Sequence, residues 1–266
     1  MKNRLLTRIR EVRLKRQKLF CAFLTLGYPS ISAVKGMILE FEKLGVDILE
    51  LGFPYSDPLA DGPTIQFSSE AALRRKVTLE DAFRTVEMLR RMGLRMPVIF
   101  FSYLNPIYHY GMKAFVKRAK RAGFDGLIIP DLLPGSEPVL EAACRESGLC
   151  RTFLAAPTTP KARAVQLARK SKGFVYFVST RGVTGARKAV PADIRASIRA
   201  MNRACPTPVL IGFGVSSPEQ AKIFAAMSQG VIVGSAIIDR IRKAGGRTAS
   251  AVRFVDEMVR AVKEKQ

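Results

Sequence analysis

Short apolar runs alternate with longer segments of helical period along almost the whole chain. The apolar runs end in Gly, Pro, Asp or Ser, as strands do where they enter loops. They predict strands at residues 20–26, 47–52, 97–103, 126–131, 152–156, 174–179, 208–212 and 230–234. Between them, apolar residues recur every three or four positions. This spacing predicts helices at residues 30–44, 78–92, 112–122, 135–147, 161–171, 192–202 and 218–226, and a last helix with a stripe of Val252, Val255, Val259 and Val262.

The repeated strand–helix order favours an α/β fold with a parallel sheet and the helices packed outside it. Eight such units can close into a (β/α)8 TIM barrel, which leaves no sheet edge exposed. An open doubly wound sheet is the alternative, but it normally carries a Gly-rich first turn, and residues 25–29 contain no GxGxxG. With 266 residues and no linker, the chain is expected to form a single barrel domain over residues 1–266.

The first eighteen residues are rich in Lys and Arg, with Glu11 as their one acidic residue. Leu5, Ile9 and Val12 recur in this segment at helical spacing, which favours an N-terminal helix that caps the barrel. An Arg-rich amphipathic transit peptide is the alternative. The segment lacks the apolar core of a secretory signal.

The chain has a formal net charge of +22, which raises the question of nucleic-acid binding. No zinc-finger, RRM or KH signature accompanies the charge, so an enzyme with anionic substrates or an acidic partner fits it better.

The four cysteines form no CxxC pair, which indicates reduced thiols in a cytoplasmic protein: Cys21, Cys144, Cys150 and Cys205. No apolar run is long enough for a membrane span.

A glutamate near the end of the second predicted strand is the first candidate for chemistry. Strand alternation puts Glu50 on one face with Ile48 and Gly52. A buried carboxyl group is costly unless it is paired, solvated or retained for its proton. Glu50 is therefore either a structural ion-pair member or an acid/base group, and its place at the carboxyl end of a barrel strand favours the second interpretation.

Two aspartates follow in the long connection at residues 53–77. Asp57 and Asp61 lie among prolines and glycines, so each could be an ordinary turn residue. A loop carboxylate beside Glu50 would, however, have a different environment and a different pKa, which allows acid and base work to be divided.

The last quarter of the chain indicates a phosphate site. The sequences LIGFGVS at residues 210–216 and IVGSA at 232–236 end two successive strands with glycines, and a helix starting at Ser235 would direct its positive end at an anion. Barrels often bind phosphate after strands seven and eight.

The remaining candidates are weaker. The connection at residues 180–191 could form a lid, with Arg181 as a loop cation. Tyr176 belongs either to the core or to a ligand pocket. His109 is the only histidine, in a Tyr-rich loop without a second ligand nearby, so metal or triad chemistry is not expected.

The motifs LELGFPYSDPLADGPTIQ, STRGVTG, IGFGVS, VGSAI, AFLTLGYP and SYLNPIYHYG closely resemble those of the tryptophan synthase α subunit in identity, order and spacing. The resemblance covers nearly the whole chain. It implies that Glu50 is the catalytic acid/base and Asp61 the second carboxylate, with Thr184 closing over Asp61. It also implies an indole pocket of Phe23, Phe101, Tyr103, Leu154, Tyr176 and Phe213, and a phosphate site of Gly185, Gly214, Gly234 and Ser235. Contact with a β subunit would involve Pro54, Ser56, Asp57 and Asn105.

The function implied by this resemblance is retro-aldol cleavage of indole-3-glycerol phosphate to indole and glyceraldehyde 3-phosphate. Indole would pass to a β subunit in an αββα tetramer for tryptophan biosynthesis. No metal or organic cofactor is implied for this chain, since the pyridoxal phosphate of the family belongs to the β partner. The alternatives are a free-standing lyase that releases indole and a catalytically weak activator of the β subunit.

Overall fold

The computed structural model describes residues 3–178, 190, 192–212 and 214–264. The strands in these ranges are β1 (Leu19–Thr25), β2 (Ile48–Gly52), β3 (Val98–Phe101), β4 (Gly126–Ile128), β5 (Cys150–Thr152), β6 (Leu154–Ala155), β7 (Val175–Val178), β8 (Val209–Gly212) and β9 (Gly230–Val233). The helices are α1 (Arg4–Leu14), α2 (Ile31–Lys43), α3 (Pro63–Leu73), α4 (Leu79–Arg91), α5 (Leu104–Tyr110), α6 (Met112–Ala122), α7 (Pro138–Ser147), α8 (Lys161–Lys170), α9 (Ala192–Ala204), α10 (Pro218–Met227), α11 (Ser235–Lys243) and α12 (Ala249–Lys263).

The strands form one parallel sheet in the order β5-β4-β3-β2-β1-β9-β8-β7-β6. Its two outermost strands, β5 and β6, are consecutive in the chain and separated only by Phe153. The predicted fifth strand is thus divided, and its halves pair with neighbours on opposite sides. The Tyr176 amide donates to the Phe153 carbonyl at 3.1 Å across this junction. The sheet closes on itself, and the predicted (β/α)8 barrel is confirmed.

Helix α1 caps the amino-terminal end of the barrel. Its buried residues Leu5, Ile9 and Val12 join the cluster of side chains that fills the barrel interior. On the same helix, Arg8 binds the fully buried Asp47 with an Nη2–Oδ1 distance of 2.8 Å. The predicted capping helix is confirmed, and basic residues of the segment anchor it to the barrel.

Two helices contradict the sequence-based expectation of irregular loops. Helix α3 occupies much of the connection at residues 53–77, and it buries Ser68, Ser69 and Ala72 instead of an apolar stripe. The Ser68 hydroxyl lies 2.7 Å from the Thr25 hydroxyl of β1, so hydrogen bonding supports this helix. Helix α5 includes His109 and is too short to show a periodic pattern. Neither of these, nor any other helix among the described residues, is long and apolar enough to cross a membrane.

Candidate active site

Glu50 lies on β2, inside the barrel and towards its carboxyl-terminal mouth. It pairs in register with Phe23 of β1 and Ile99 of β3. The residue is 1% exposed, and its Oε1 atom has no hydrogen-bond partner among the described residues. The predicted inward orientation is confirmed, and no basic side chain pairs with the carboxyl group within the described part of the chain.

Burial raises the pKa of Glu50 from 4.5 to about 8, and a hydrogen bond with the Cys21 thiol lowers it in part. The carboxyl group is therefore mostly protonated at neutral pH. The Tyr176 phenol also has a pKa well above its usual value, first because it is buried and second because Glu50 is close to it. Glu50 thus holds a proton beside an aromatic pocket, as a general acid requires.

Asp61 lies in the connection between β2 and α3, where Tyr103 holds the chain. The Ala60 amide donates to the Tyr103 hydroxyl at 2.9 Å, and the same hydroxyl forms a hydrogen bond with Asp61. Burial raises the pKa of Asp61 from 3.8 to about 6, while the bond with Tyr103 lowers it. The two carboxyl groups therefore differ in charge at neutral pH, Glu50 being neutral and Asp61 ionised.

Aromatic side chains line the barrel mouth around these two acids. Phe23 meets Phe101 edge to face, with ring centroids 5.5 Å apart. Glycines make room for the rings, since a Cβ atom at Gly52 would overlap Phe23 and one at Gly212 would overlap Tyr176. On β6, the half-buried Leu154 pairs in register with Tyr176. The mouth offers an apolar, aromatic wall suited to a flat ring.

The two glycine turns lie side by side because β8 and β9 pair directly. Gly214 follows β8 with a φ of +76°, a conformation that favours glycine. Gly234 precedes α11, which begins at the exposed Ser235. The first N–H groups of a helix have no partner within the helix, so those of α11 are available to an anion. This geometry supports the predicted phosphate site.

Several predicted site residues lie outside the described residues, namely Thr184, Gly185, Phe213 and Arg181. The predicted partner-contact residues are described: Ser56, Asp57 and Asn105 are exposed, and Pro54 is buried. Asn105 donates to the Tyr55 hydroxyl at 3.1 Å.

Three large apolar or aromatic side chains are exposed at this end of the barrel. Leu59, Tyr108 and Leu133 follow β2, β3 and β4 and are 85%, 64% and 58% exposed. No group of three or more His, Cys, Asp or Glu residues in the described ranges could hold a metal ion. All four cysteines are free and buried.

Two functional contacts were not predicted from the sequence. Cys21 was interpreted as an ordinary reduced thiol, yet it is hydrogen-bonded to Glu50. Tyr103 was assigned to the indole pocket, but its hydroxyl also fixes the Asp61 loop. Strand alternation places Cys21 on the inner face of β1, but only the register with β2 brings it to Glu50.

The family model for the tryptophan synthase alpha chain matches residues 9–266. The chain belongs to the tryptophan synthase alpha chain family. The alpha chain of Dehalococcoides mccartyi is 43% identical over 237 residues, covering 89% of this chain and 92% of that protein. The alpha chain of Shouchella clausii is 40% identical over 257 residues, covering 97% and 93%.

Solved structures agree with this assignment. A chain of Mycobacterium tuberculosis tryptophan synthase has a TM-score of 0.90 and 34% identity, with full coverage of both chains. The alpha chain of Legionella pneumophila has a TM-score of 0.90 and 29% identity, covering 98% of each chain. As a member of this family, the chain is a lyase subunit of tryptophan biosynthesis.

Proposed function

We propose that this alpha chain cleaves indole-3-glycerol phosphate to indole and glyceraldehyde 3-phosphate by a retro-aldol reaction. The observation that carries the proposal is the protonated, unpaired Glu50 inside the barrel mouth. Burying such an acid destabilises the fold, and proton transfer to a substrate would explain why it is present.

The proposed reaction needs two proton transfers at adjacent carbons. The Glu50 carboxyl group first delivers its proton to C3 of the indole ring, which leaves a positive charge on the ring system. The resulting carboxylate then takes the proton of the hydroxyl group on the adjacent glycerol carbon. The bond between that carbon and C3 breaks, its electron pair returns to the ring, and an aldehyde forms. Glu50 ends protonated, as it began, so one group serves both steps.

Asp61 has the complementary role in this proposal. Its carboxylate accepts a hydrogen bond from the indole N–H and stabilises the positive charge that develops on the ring. Its pKa of about 6 keeps it ionised at neutral pH. The phosphate group would bind at Gly185, Gly214, Gly234 and Ser235, and Thr184 would close over Asp61.

The chemistry proposed for this chain requires neither a metal nor an organic cofactor, because carboxyl groups perform both proton transfers. We propose a cytoplasmic αββα complex in which the exposed Leu59, Tyr108 and Leu133 face the β subunit together with Ser56 and Asp57. Gel filtration with the cognate β subunit tests the complex, and separate elution would contradict it.

Indole release from indole-3-glycerol phosphate tests the lyase activity directly. Glu50→Gln and Asp61→Asn should each lose roughly 100-fold or more in kcat, the usual contribution of a positioned acid or base. Glu257→Gln, which neutralises an exposed carboxylate on α12, should match the wild type. Full activity of the Glu50→Gln chain would refute the proposal.

Assays of the isolated chain and of the complex separate the alternatives. Equal turnover of the two would favour a free-standing lyase. A wild-type chain as inactive as Glu50→Gln that still stimulates the β subunit would favour an activator.

A further inference from the structure

A small cavity in the outer layer of the barrel is lined mainly by basic side chains. It lies where β5 meets the carboxyl-terminal ends of α7 and α8, and its volume is about 190 Å³. Its basic residues are Arg145, Arg151, Arg169, Lys170 and Lys172, and Glu141 is its one acidic residue. The cavity therefore carries a strong local excess of positive charge.

Arg151 is the buried centre of this cavity. The residue is 6% exposed, and its Nε and Nη1 atoms are buried without a hydrogen-bond partner among the described residues. The carboxylate paired with it is Glu141, whose Oε1 lies 3.6 Å from Nη1, too far for a hydrogen bond. That same oxygen already accepts the Gly135 amide at 2.6 Å. Glu141 therefore does not satisfy the guanidinium group.

The Arg151 guanidinium group is covered on one face, while N–H donors along its edge have no acceptor among the described residues. Its Cζ atom lies 4.6 Å from the centroid of the Phe153 ring, which covers one face of the planar group. The N–H donors of arginine point outward in the plane, in a fork that matches two oxygens of one oxyanion. An arginine cannot lose its charge in a protein, so the unpaired donors need an acceptor, and an oxyanion would also balance the charge.

Helix dipoles explain Arg145, in the last turn of α7, and two cations of α8, but they do not explain Arg151. Arg169 and Lys170 occupy the last turn of α8, where cations are favourable in any helix. Arg151 lies on a strand, so no helix end explains its charge. The Lys172 amide donates to the Arg151 carbonyl at 2.8 Å, and Lys172 lines the same cavity as Arg151.

We propose that this cavity is an anion-binding site for phosphate or a similarly small tetrahedral oxyanion. Its volume of about 190 Å³ is below the roughly 300 Å³ at which pockets for drug-sized ligands begin, so it suits a small oxyanion better than a nucleotide. The site is separate from the proposed substrate site, because it lies by the amino-terminal ends of the strands, whereas the turns after β8 and β9 lie at their carboxyl ends. The net charge of +22 favours the accumulation of anions around the chain.

Crystals soaked in selenate test the site, because the anomalous signal of selenium locates the oxyanion directly. The wild type should show a peak within hydrogen-bonding distance of the Arg151 guanidinium. Arg151→Met should lose this peak. Arg253→Met, which removes the same charge from the exposed face of α12, should retain it. A peak at Gly234 and Ser235 in all three proteins would report the substrate site separately.

Calorimetric titration with inorganic phosphate measures the same site in solution. We expect the affinity of the outer site to fall at least tenfold in Arg151→Met and to be intermediate in Arg151→Lys, which keeps the charge but loses the fork. Without phosphate, Arg151→Met should be no less stable than the wild type, since it removes a buried charge whose Nε and Nη1 atoms have no hydrogen-bond partner among the described residues. Selenate found only at the glycine turns, or a peak at Arg151 without phosphate binding in solution, would overturn the proposal.

Discussion

Replacing Glu50 with glutamine should make the folded chain more stable at alkaline pH while abolishing its proposed chemistry. Glutamine has nearly the same shape as a protonated glutamate but cannot ionise. The barrel interior disfavours the charged form of Glu50, because Oε1 has no hydrogen-bond partner among the described residues. Ionisation at alkaline pH therefore penalises the folded state of the wild type alone.

The magnitude follows from the pKa of Glu50, which rises from 4.5 to about 8 on folding. Between these values the unfolded chain has lost the proton and the folded chain retains it, so stability falls as pH increases. One pKa unit corresponds to about 1.4 kcal/mol, so this group alone costs the wild type on the order of 4 kcal/mol between pH 5 and pH 9. The Glu50→Gln chain avoids this loss.

Urea unfolding at pH 5 and pH 9 measures the effect. The stability advantage of Glu50→Gln over the wild type should be several kcal/mol larger at pH 9 than at pH 5. All other titrating groups are shared and cancel in this difference. Glu257→Gln, at an exposed position on α12, should show no such change. The same pH dependence for wild type and Glu50→Gln would show that Glu50 is not held protonated by burial.

Further predictions concern the pH profile and the amino-terminal end of the barrel. The wild-type kcat/KM for indole release should be bell-shaped with limbs near pH 6 and 8, because Asp61 must be ionised and Glu50 protonated; a flat profile over this range would contradict these assignments. Tyr103→Phe should move the acid limb to higher pH, since its hydrogen bond lowers the pKa of Asp61. Cys21→Ala should move the alkaline limb to higher pH, since the hydrogen bond from the thiol lowers the pKa of Glu50. Limbs that stay at the same pH in these variants would exclude the two hydrogen bonds. Asp47→Ala should lower the free energy of unfolding by about 3 kcal/mol while retaining activity, because Arg8, Lys263 and the buried Phe20 amide lose their partner. An unchanged midpoint of urea unfolding would refute this role.

The fold was predictable because the alternation of strands and helices is local and strong. The predicted eight strand positions match the barrel, apart from the break at Phe153, which the continuous apolar run at residues 152–156 does not reveal. Helix α3 escaped prediction because its buried face carries Ser68 and Ser69, so that its support comes from hydrogen bonds instead of apolar burial. Helix α5 is stabilised at its start by Asp131, whose carboxylate accepts the Leu104 amide at 3.0 Å from a loop distant in sequence.

The candidate site was predictable where one residue and its strand position were sufficient. Glu50 could be proposed as an acid/base group from its place at the carboxyl end of a strand, and the two glycine turns from their positions at strand ends. The hydrogen bonds that lower the pKa values of Glu50 and Asp61 could not be predicted, because they join residues from different elements. Cys21 reaches Glu50 only through the pairing of β1 with β2, and Tyr103 reaches Asp61 only after the loop has folded back over β3.

Strand β2 and the residue before it carry two buried carboxyl groups, one structural and one proposed to be catalytic. Asp47 and Glu50 are three residues apart, and their relative exposures are 0% and 1%. Asp47 accepts the Phe20 amide at 2.8 Å on one oxygen and binds Arg8 and Lys263 with the other. Glu50 has a thiol as its bonding partner and one oxygen without any partner in the described part of the chain. Burial alone therefore does not distinguish the proposed catalytic acid from a structural one. The unmet hydrogen-bonding capacity does, because a proton or a substrate must satisfy it.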